Sequence, residues 1–167
     1  TLVHRNAVIV VDDAVYPAIQ DSLATYVDDV QARVDVTLSI HHGTWPSAEA
    51  LRSFLQALHS TEGISGAILV GSLPFATWQF PWGERCPIPF FFEDLDGTFS
   101  DTDGDGVYDY HGWGENEGPE IWVSLLRPPS DAPEAEGAAV VDFFAKTHDY
   151  YRGVLTNRKR ALVCINH

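Results

Sequence analysis

Apolar positions follow two rhythms along this chain, and the two alternate. Ala7-Val8-Ile9-Val10-Val11 is an unbroken apolar run that stops at Asp12-Asp13. Such a run, rich in β-branched residues and bounded by polar ones, predicts a strand covered on both faces. Ile19, Leu23, Tyr26, Val27 and Val30 then recur at helical spacing. They predict an amphipathic helix over residues 17–31, with Pro17 in its first turn. Val34, Val36, Leu38 and Ile40 alternate with polar residues and predict a second strand. Pro46 and Ser47 open a second helix, whose apolar stripe is Leu51, Phe54, Leu55 and Leu58 and whose stop is Gly63. Ala67-Ile68-Leu69-Val70, closed by Gly71, predicts a third buried strand.

Strand and helix alternating in this way imply a parallel sheet with right-handed crossovers. Between residues 72 and 119 the rhythm fails, and Pro, Gly, Asp and aromatic residues dominate. An aperiodic stretch of that length in a compact domain is usually functional or ordered by a ligand. Regularity returns with Ile121-Trp122-Val123-Ser124-Leu125-Leu126, a fourth strand. Pro133 starts a third helix with Val140, Val141, Phe144, His148 and Tyr151 on one face. Glu134 and Glu136 fall in its first turn, where the helix dipole favours acids. Arg160-Ala161-Leu162-Val163-Cys164-Ile165 predicts a fifth strand. The expectation is one α/β domain over residues 1–167. Its sheet is largely parallel and five-stranded, helices cover both faces, and a long aromatic and acidic loop is inserted at 72–119.

Charge sharpens this picture. Asp and Glu total 24 against 10 Lys and Arg, a net charge of −14. That repels phosphate backbones and anionic lipid heads, so nucleic acid and acidic membranes are poor partners, and no window resembles a membrane span. Much of the acid lies between Glu93 and Glu120. There Asp101-Thr102-Asp103-Gly104-Asp105-Gly106-Val107-Tyr108-Asp109 places oxygens at alternate positions 1, 3 and 5. Gly follows at 6, a backbone carbonyl at 7 and an acid at 9, the pattern of an EF-hand-type calcium loop. Ca²⁺ is a hard ion wanting six to eight oxygens, and alternate carboxylates converge on it only if the chain curls at glycine. The expected ligands are Asp101, Asp103, Asp105 and Asp109 by side chain and Val107 by carbonyl. Position 12 is Gly112, so the bidentate glutamate of an EF-hand is missing, and Asp94, Asp96, Glu115 or Glu117 is expected to substitute. Flanking helical periodicity is also missing, so the loop stands without EF helices.

Other chemistry-bearing residues read as structural. His41-His42-Gly43 is expected as a loop at the end of the second strand, without a metal partner at a suitable spacing. His148 falls on an apolar stripe and reads as a satisfied core histidine. Cys86 and Cys164 sit beside apolar residues and read as buried free thiols. Phe75, Trp78, Phe80, Trp82, Phe90, Phe91 and Phe92, with four prolines among them, read as a rigid covering layer. A sugar or peptide platform is the sharper alternative.

Three stretches in order resemble the gingipain-like cysteine peptidases of the caspase-like clan. They are Gly66-Ala67-Ile68-Leu69-Val70-Gly71-Ser72-Leu73-Pro74, then Pro89-Phe90-Phe91-Phe92-Glu93-Asp94-Leu95-Asp96-Gly97, then Pro119-Glu120-Ile121-Trp122-Val123-Ser124-Leu125-Leu126-Arg127-Pro128. The helix ending near His148-Asp149-Tyr150-Tyr151 takes the place of the family's next helix. Ser72, Ser124 and Leu125 depart from the family's Asp, Gly and Arg. The resemblance implies a caspase-like half-domain of a secreted or cell-surface bacterial protein. In that family the catalytic His-Gly and Cys come later, each after a further strand, so His42 and Cys164 are not the dyad. The chain also contains no Met, and the expectation is a piece of a longer protein. The resulting function is a non-catalytic, calcium-stabilised N-terminal subdomain that docks on a C-terminal catalytic subdomain. The alternative is a free-standing extracellular calcium-binding module that holds a glycan or protein through its aromatic and acidic loop.

Overall fold

The computed structural model describes residues 5–130 and 132–155. β1 (Arg5–Asp12), β2 (Val36–Gly43), β3 (Ile64–Val70) and β8 (Trp122–Leu126) form a sheet in the order β2-β1-β3-β8. Every neighbouring pair in it is parallel. The predicted fifth strand, at 161–165, lies outside the described residues, as does Cys164.

β1 is central, and the alternation of its side chains divides the core. Val8 and Val10 face α2 (Ala48–Glu62), packing with Leu51, Leu55 and Leu58. Ala7, Ile9 and Val11 face α1 (Tyr16–Gln31) and α4 (Pro133–Tyr151), packing with Ile19, Leu23, Val140 and Phe144. All five of these β1 residues are at most 1% exposed, which is why their sequence shows a continuous run and not an alternation. Burying each larger apolar side chain contributes about 1.5–3 kcal/mol.

Helix ends follow local chemistry. The Ser47 hydroxyl accepts the Ala50 N–H at 3.3 Å and caps α2. Gly63 ends it in the left-handed region, φ 62°, donating to the His59 carbonyl. α1 and α4 run side by side. Asp29 holds His148 at 2.6 Å, and the Arg33 guanidinium donates to the Tyr151 carbonyl and covers that ring. His148 is half-buried and hydrogen-bonded to Asp29, at the edge of the core. No helix among the described residues is long and apolar enough to cross a membrane.

Two expectations need correction. His41 and His42 are within β2, because they pair with Val10 and Val11 of β1; they do not form a loop. Glu136 does not merely greet the helix dipole. It is buried, and its carboxylate accepts the Ser72 hydroxyl at 3.1 Å.

The 72–119 insertion carries structure of its own. β4 (Thr77–Gln79) and β5 (Arg85–Pro87) pair antiparallel. A single turn, α3 (Phe90–Glu93), follows, and then β6 (Thr98–Ser100) pairs with β7 (Tyr110–Gly112). Phe91, Phe92 and Leu95 anchor this layer in the α2-side core. Phe75 packs edge-on against Phe92, whereas Trp82 is 70% exposed. The covering-layer reading therefore fits Phe91 and Phe92 but not Trp82.

Candidate metal centre

The aspartate loop joins β6 to β7. Strand pairing of Ser100 with Tyr110 brings its two ends together. Inside, the chain curls around one carboxylate. Asp101 Oδ1 accepts the backbone N–H of Gly104 at 2.7 Å and of Asp105 at 3.2 Å, and Oδ2 accepts that of Gly106 at 2.7 Å. The curl needs left-handed backbone at Gly104 (φ 77°) and Gly106 (φ 88°), where a side chain would be strained. As a result, carboxylate oxygens of Asp101, Asp103 and Asp105 lie within 4.8 Å of one another.

Asp109, the fourth expected side-chain ligand, lies outside that group of three and is bonded across the loop to Thr102. Its carboxylate accepts the Thr102 N–H at 2.8 Å and the Thr102 hydroxyl. The Val107 N–H donates to Asp105 Oδ1 at 3.0 Å.

Electrostatics separates the three converging acids. The Gly106 N–H, helped by those of Gly104 and Asp105, holds the Asp101 carboxyl below the usual carboxylate range. Asp103 is pushed up, by lost hydration and then by the neighbouring Asp105 charge. Asp105 meets the Arg85 guanidinium in an ion pair. Arg85 is the only Lys or Arg between Arg52 and Arg127, and it reaches the loop from β5. Its Nε also donates to Gln79 Oε1 at 2.7 Å, while Gln79 Nε2 approaches Asp103 at 3.5 Å.

Asp94 and Asp96, expected as spare ligands for the loop, gather elsewhere. With Glu120 they form a second group whose oxygens lie within 4.8 Å of one another. Asp94 is fully buried, accepting the Gly97 N–H at 2.8 Å and holding His111 Nε2 at 2.5 Å. Glu120 Oε2 accepts the Leu95 N–H at 2.6 Å, and Asp96 Oδ2 accepts the Glu115 N–H at 2.9 Å. Asp94 and Glu120 thus cap the backbone of the α3–β6 turn, and Asp96 ties that turn to the segment after β7. Arg52 of α2 donates to the carbonyls of Asp94 and Gly97, both at 2.7 Å, and so ties the turn to the core.

Models of known families, curated proteins and solved structures were compared with the chain. None matches.

Sequence reasoning missed the Arg85–Asp105 pair and the part of Glu120. A signal for the first existed, since a lone basic residue in an acidic insertion has few uncommitted partners to avoid. Sequence offered no equivalent for Glu120, because its contacts span 24 and 25 positions.

Tyr108 ties the loop to the domain. Its hydroxyl donates to Glu49 in the first turn of α2. Burial, then that bond to Glu49, pushes the phenol up to about 12. The Glu49 carboxyl is held below its usual range by the Ser47 hydroxyl and by Tyr108.

The donor set fits a hard cation. Three carboxylates converge, glycine permits the curl, and the crowding that raises Asp103 is what a cation relieves.

His42 and Cys86 stand apart from this centre. His42 Nδ1 lies 2.7 Å from Asp13 Oδ1, its ring stacked on Tyr16 at 3.9 Å. Cys86 is a free thiol on β5, opposite Trp78, as expected, but half-buried and not buried.

Proposed function

We propose that this chain is a calcium-braced, non-catalytic α/β subdomain of a gingipain-like cysteine peptidase, docking on a C-terminal catalytic subdomain at the bacterial surface or outside the cell. The observation that carries the calcium part is the convergence of Asp101, Asp103 and Asp105 around the left-handed Gly104 and Gly106. Calcium is preferred over magnesium, which keeps its water and rarely takes so many protein carboxylates. Bound there, it would hold the β6–β7 connection and, through Tyr108 and Glu49, fasten the insertion to α2.

The subdomain part rests on the order of the family-like stretches and on the β8 edge. Trp122, Leu125 and Phe143 are exposed along that edge, and a parallel sheet is normally covered on both faces. α4 ends beside the end of α1, which is where β2 begins. α4 therefore returns the chain to the end of the sheet from which a further parallel strand would start.

Calorimetric titration of the full chain with CaCl₂ tests the calcium part. The expected result is uptake at one site, lost in Asp103→Ala and Asp105→Ala, with no comparable uptake of magnesium. Heat-silent titration with unchanged protein, or equal uptake by both variants, contradicts it. A panel of fluorogenic peptides tests the subdomain part. No hydrolysis is expected, and hydrolysis abolished by Cys164→Ala would overturn the non-catalytic reading.

A further inference from the structure

We infer that the aromatic cleft between the two hairpins of the insertion is a binding site for a neutral saccharide. Trp78, Phe80, Ile88, Phe90, Phe99 and His111 line a cavity of about 270 Å³ whose walls are almost entirely carbon. Every one of these residues is half-buried, so each keeps surface toward the opening.

The walls are fixed before any ligand arrives. Phe90 packs edge-on against Phe99, His111 and Trp113. His111 is held in turn by the buried Asp94. At the rim, Trp82 stacks on Phe80 with ring centres 4.7 Å apart and planes 9° from parallel. The Trp82 indole N–H donates to Glu84 at 3.1 Å. A tryptophan 70% exposed, held on one face by Phe80 and at its N–H edge by Glu84, is a preset flat platform with its other face open.

Phe80 also belongs to an adjoining hollow of about 340 Å³, lined further by Gln79, Pro81, Gly83, Asp103 and Asp109. Apolar cleft and polar hollow thus meet at one ring. The polar side is not simply negative. Arg85 is bonded to Gln79 and paired with Asp105, and Gln79 reaches Asp103. Donors and acceptors there already alternate, with a guanidinium among the acids. A cationic peptide side chain would meet the charge of Arg85 standing behind Gln79, and an anionic sugar would face Asp103 and Asp109 in the lining itself. A neutral sugar meets neither objection. Its C–H face suits the aromatic walls, and its hydroxyls donate and accept together.

The aromatic walls do not depend on the calcium reading, whereas Asp103 of the adjoining hollow is one of its proposed ligands, so saccharide binding and calcium uptake are read separately. The test is titration of the full chain, in calcium-containing buffer, with hexasaccharides of β-linked glucose, xylose, mannose and N-acetylglucosamine. Binding is followed by calorimetry and tryptophan fluorescence. Saturable binding of at least one is expected, weakened at least tenfold by Trp82→Ala and by Phe80→Ala. Trp82 is mostly exposed, so its variant should keep the melting temperature even if the Phe80 variant does not. Binding of none of the four overturns the inference. So does binding that Trp82→Ala leaves unchanged, or displacement of the sugar from this cleft by a lysine- and phenylalanine-rich peptide that binds more tightly.

Discussion

Asp101 and Asp103 are identical side chains two positions apart, and their surroundings drive them in opposite directions. Asp101 is lowered by three backbone N–H groups, whereas Asp103 is raised by lost hydration and the Asp105 charge. The sign of the pH dependence follows. Calcium needs both ionised, so acidification weakens binding, with Asp103 protonating first, somewhat above the ordinary aspartate value of about 3.9. Asp101 protonates last, below its unfolded value. Its contribution to the folded loop is thus present above the unfolded value and lost as pH falls through the folded one. Calcium titrations from pH 7 down to 3.5 should show affinity falling near the Asp103 transition while the loop's backbone resonances persist to lower pH. Arg85 gives a second expectation. It is the cation nearest the crowded acids, so Arg85→Gln should lower the melting temperature in EDTA and tighten calcium binding by removing a competitor for Asp105. At Gly97, a Cβ would come within 2.3 Å of the Asp94 carboxylate. That carboxylate is buried and held from two sides, so it cannot step aside. Gly97→Ala should destabilise by about 1–3 kcal/mol, the usual cost of overpacking, measurable by urea unfolding.

Among the elements, legibility followed length and burial. β1, and β3 from Ala67 to Val70, were plain in the sequence because their apolar runs have no gaps. α2 was plain because its stripe, serine cap and terminal glycine agree. Ser47→Ala should therefore cost about 1 kcal/mol, visible as a shift of the chemical unfolding midpoint at unchanged slope. The insertion was opaque for a physical reason. β4, β5, β6 and β7 have three residues each, too few to show a period of two. They are specified by partners far away, such as Arg52 on the Asp94 and Gly97 carbonyls. The reach of β2 was also underestimated, because His41 and His42 look like loop residues until their pairing with β1 is seen. The convergence of Asp101, Asp103 and Asp105 was legible because the three are local, whereas the Asp94, Asp96 and Glu120 group joins residues from two distant stretches.

Over the described residues the molecule is a parallel sheet carrying an acidic, aromatic insertion docked on its α2 side. Phe91 and Phe92 anchor it in the core, Arg52 bonds its turn, and Tyr108 reaches Glu49. Removing the Tyr108 hydroxyl with Phe should cost about 1 kcal/mol and lower the protection of the β6–β7 amides in hydrogen exchange before that of β1. The aspartate loop closes the β6–β7 connection within the insertion, and on this account a cation sets its strength. Binding only to the folded chain contributes about 2.7 kcal/mol at a hundredfold excess of calcium over Kd. For a domain of this size that corresponds to about 5–11 °C of melting temperature. Thermal unfolding of the full chain in calcium, in magnesium and in EDTA therefore tests the central claim most directly. The account predicts a melting temperature higher in calcium by several degrees, little rescue by magnesium, and no calcium effect in Asp103→Ala. The same melting temperature in all three buffers would contradict it and leave the aspartates as a solvated acidic turn.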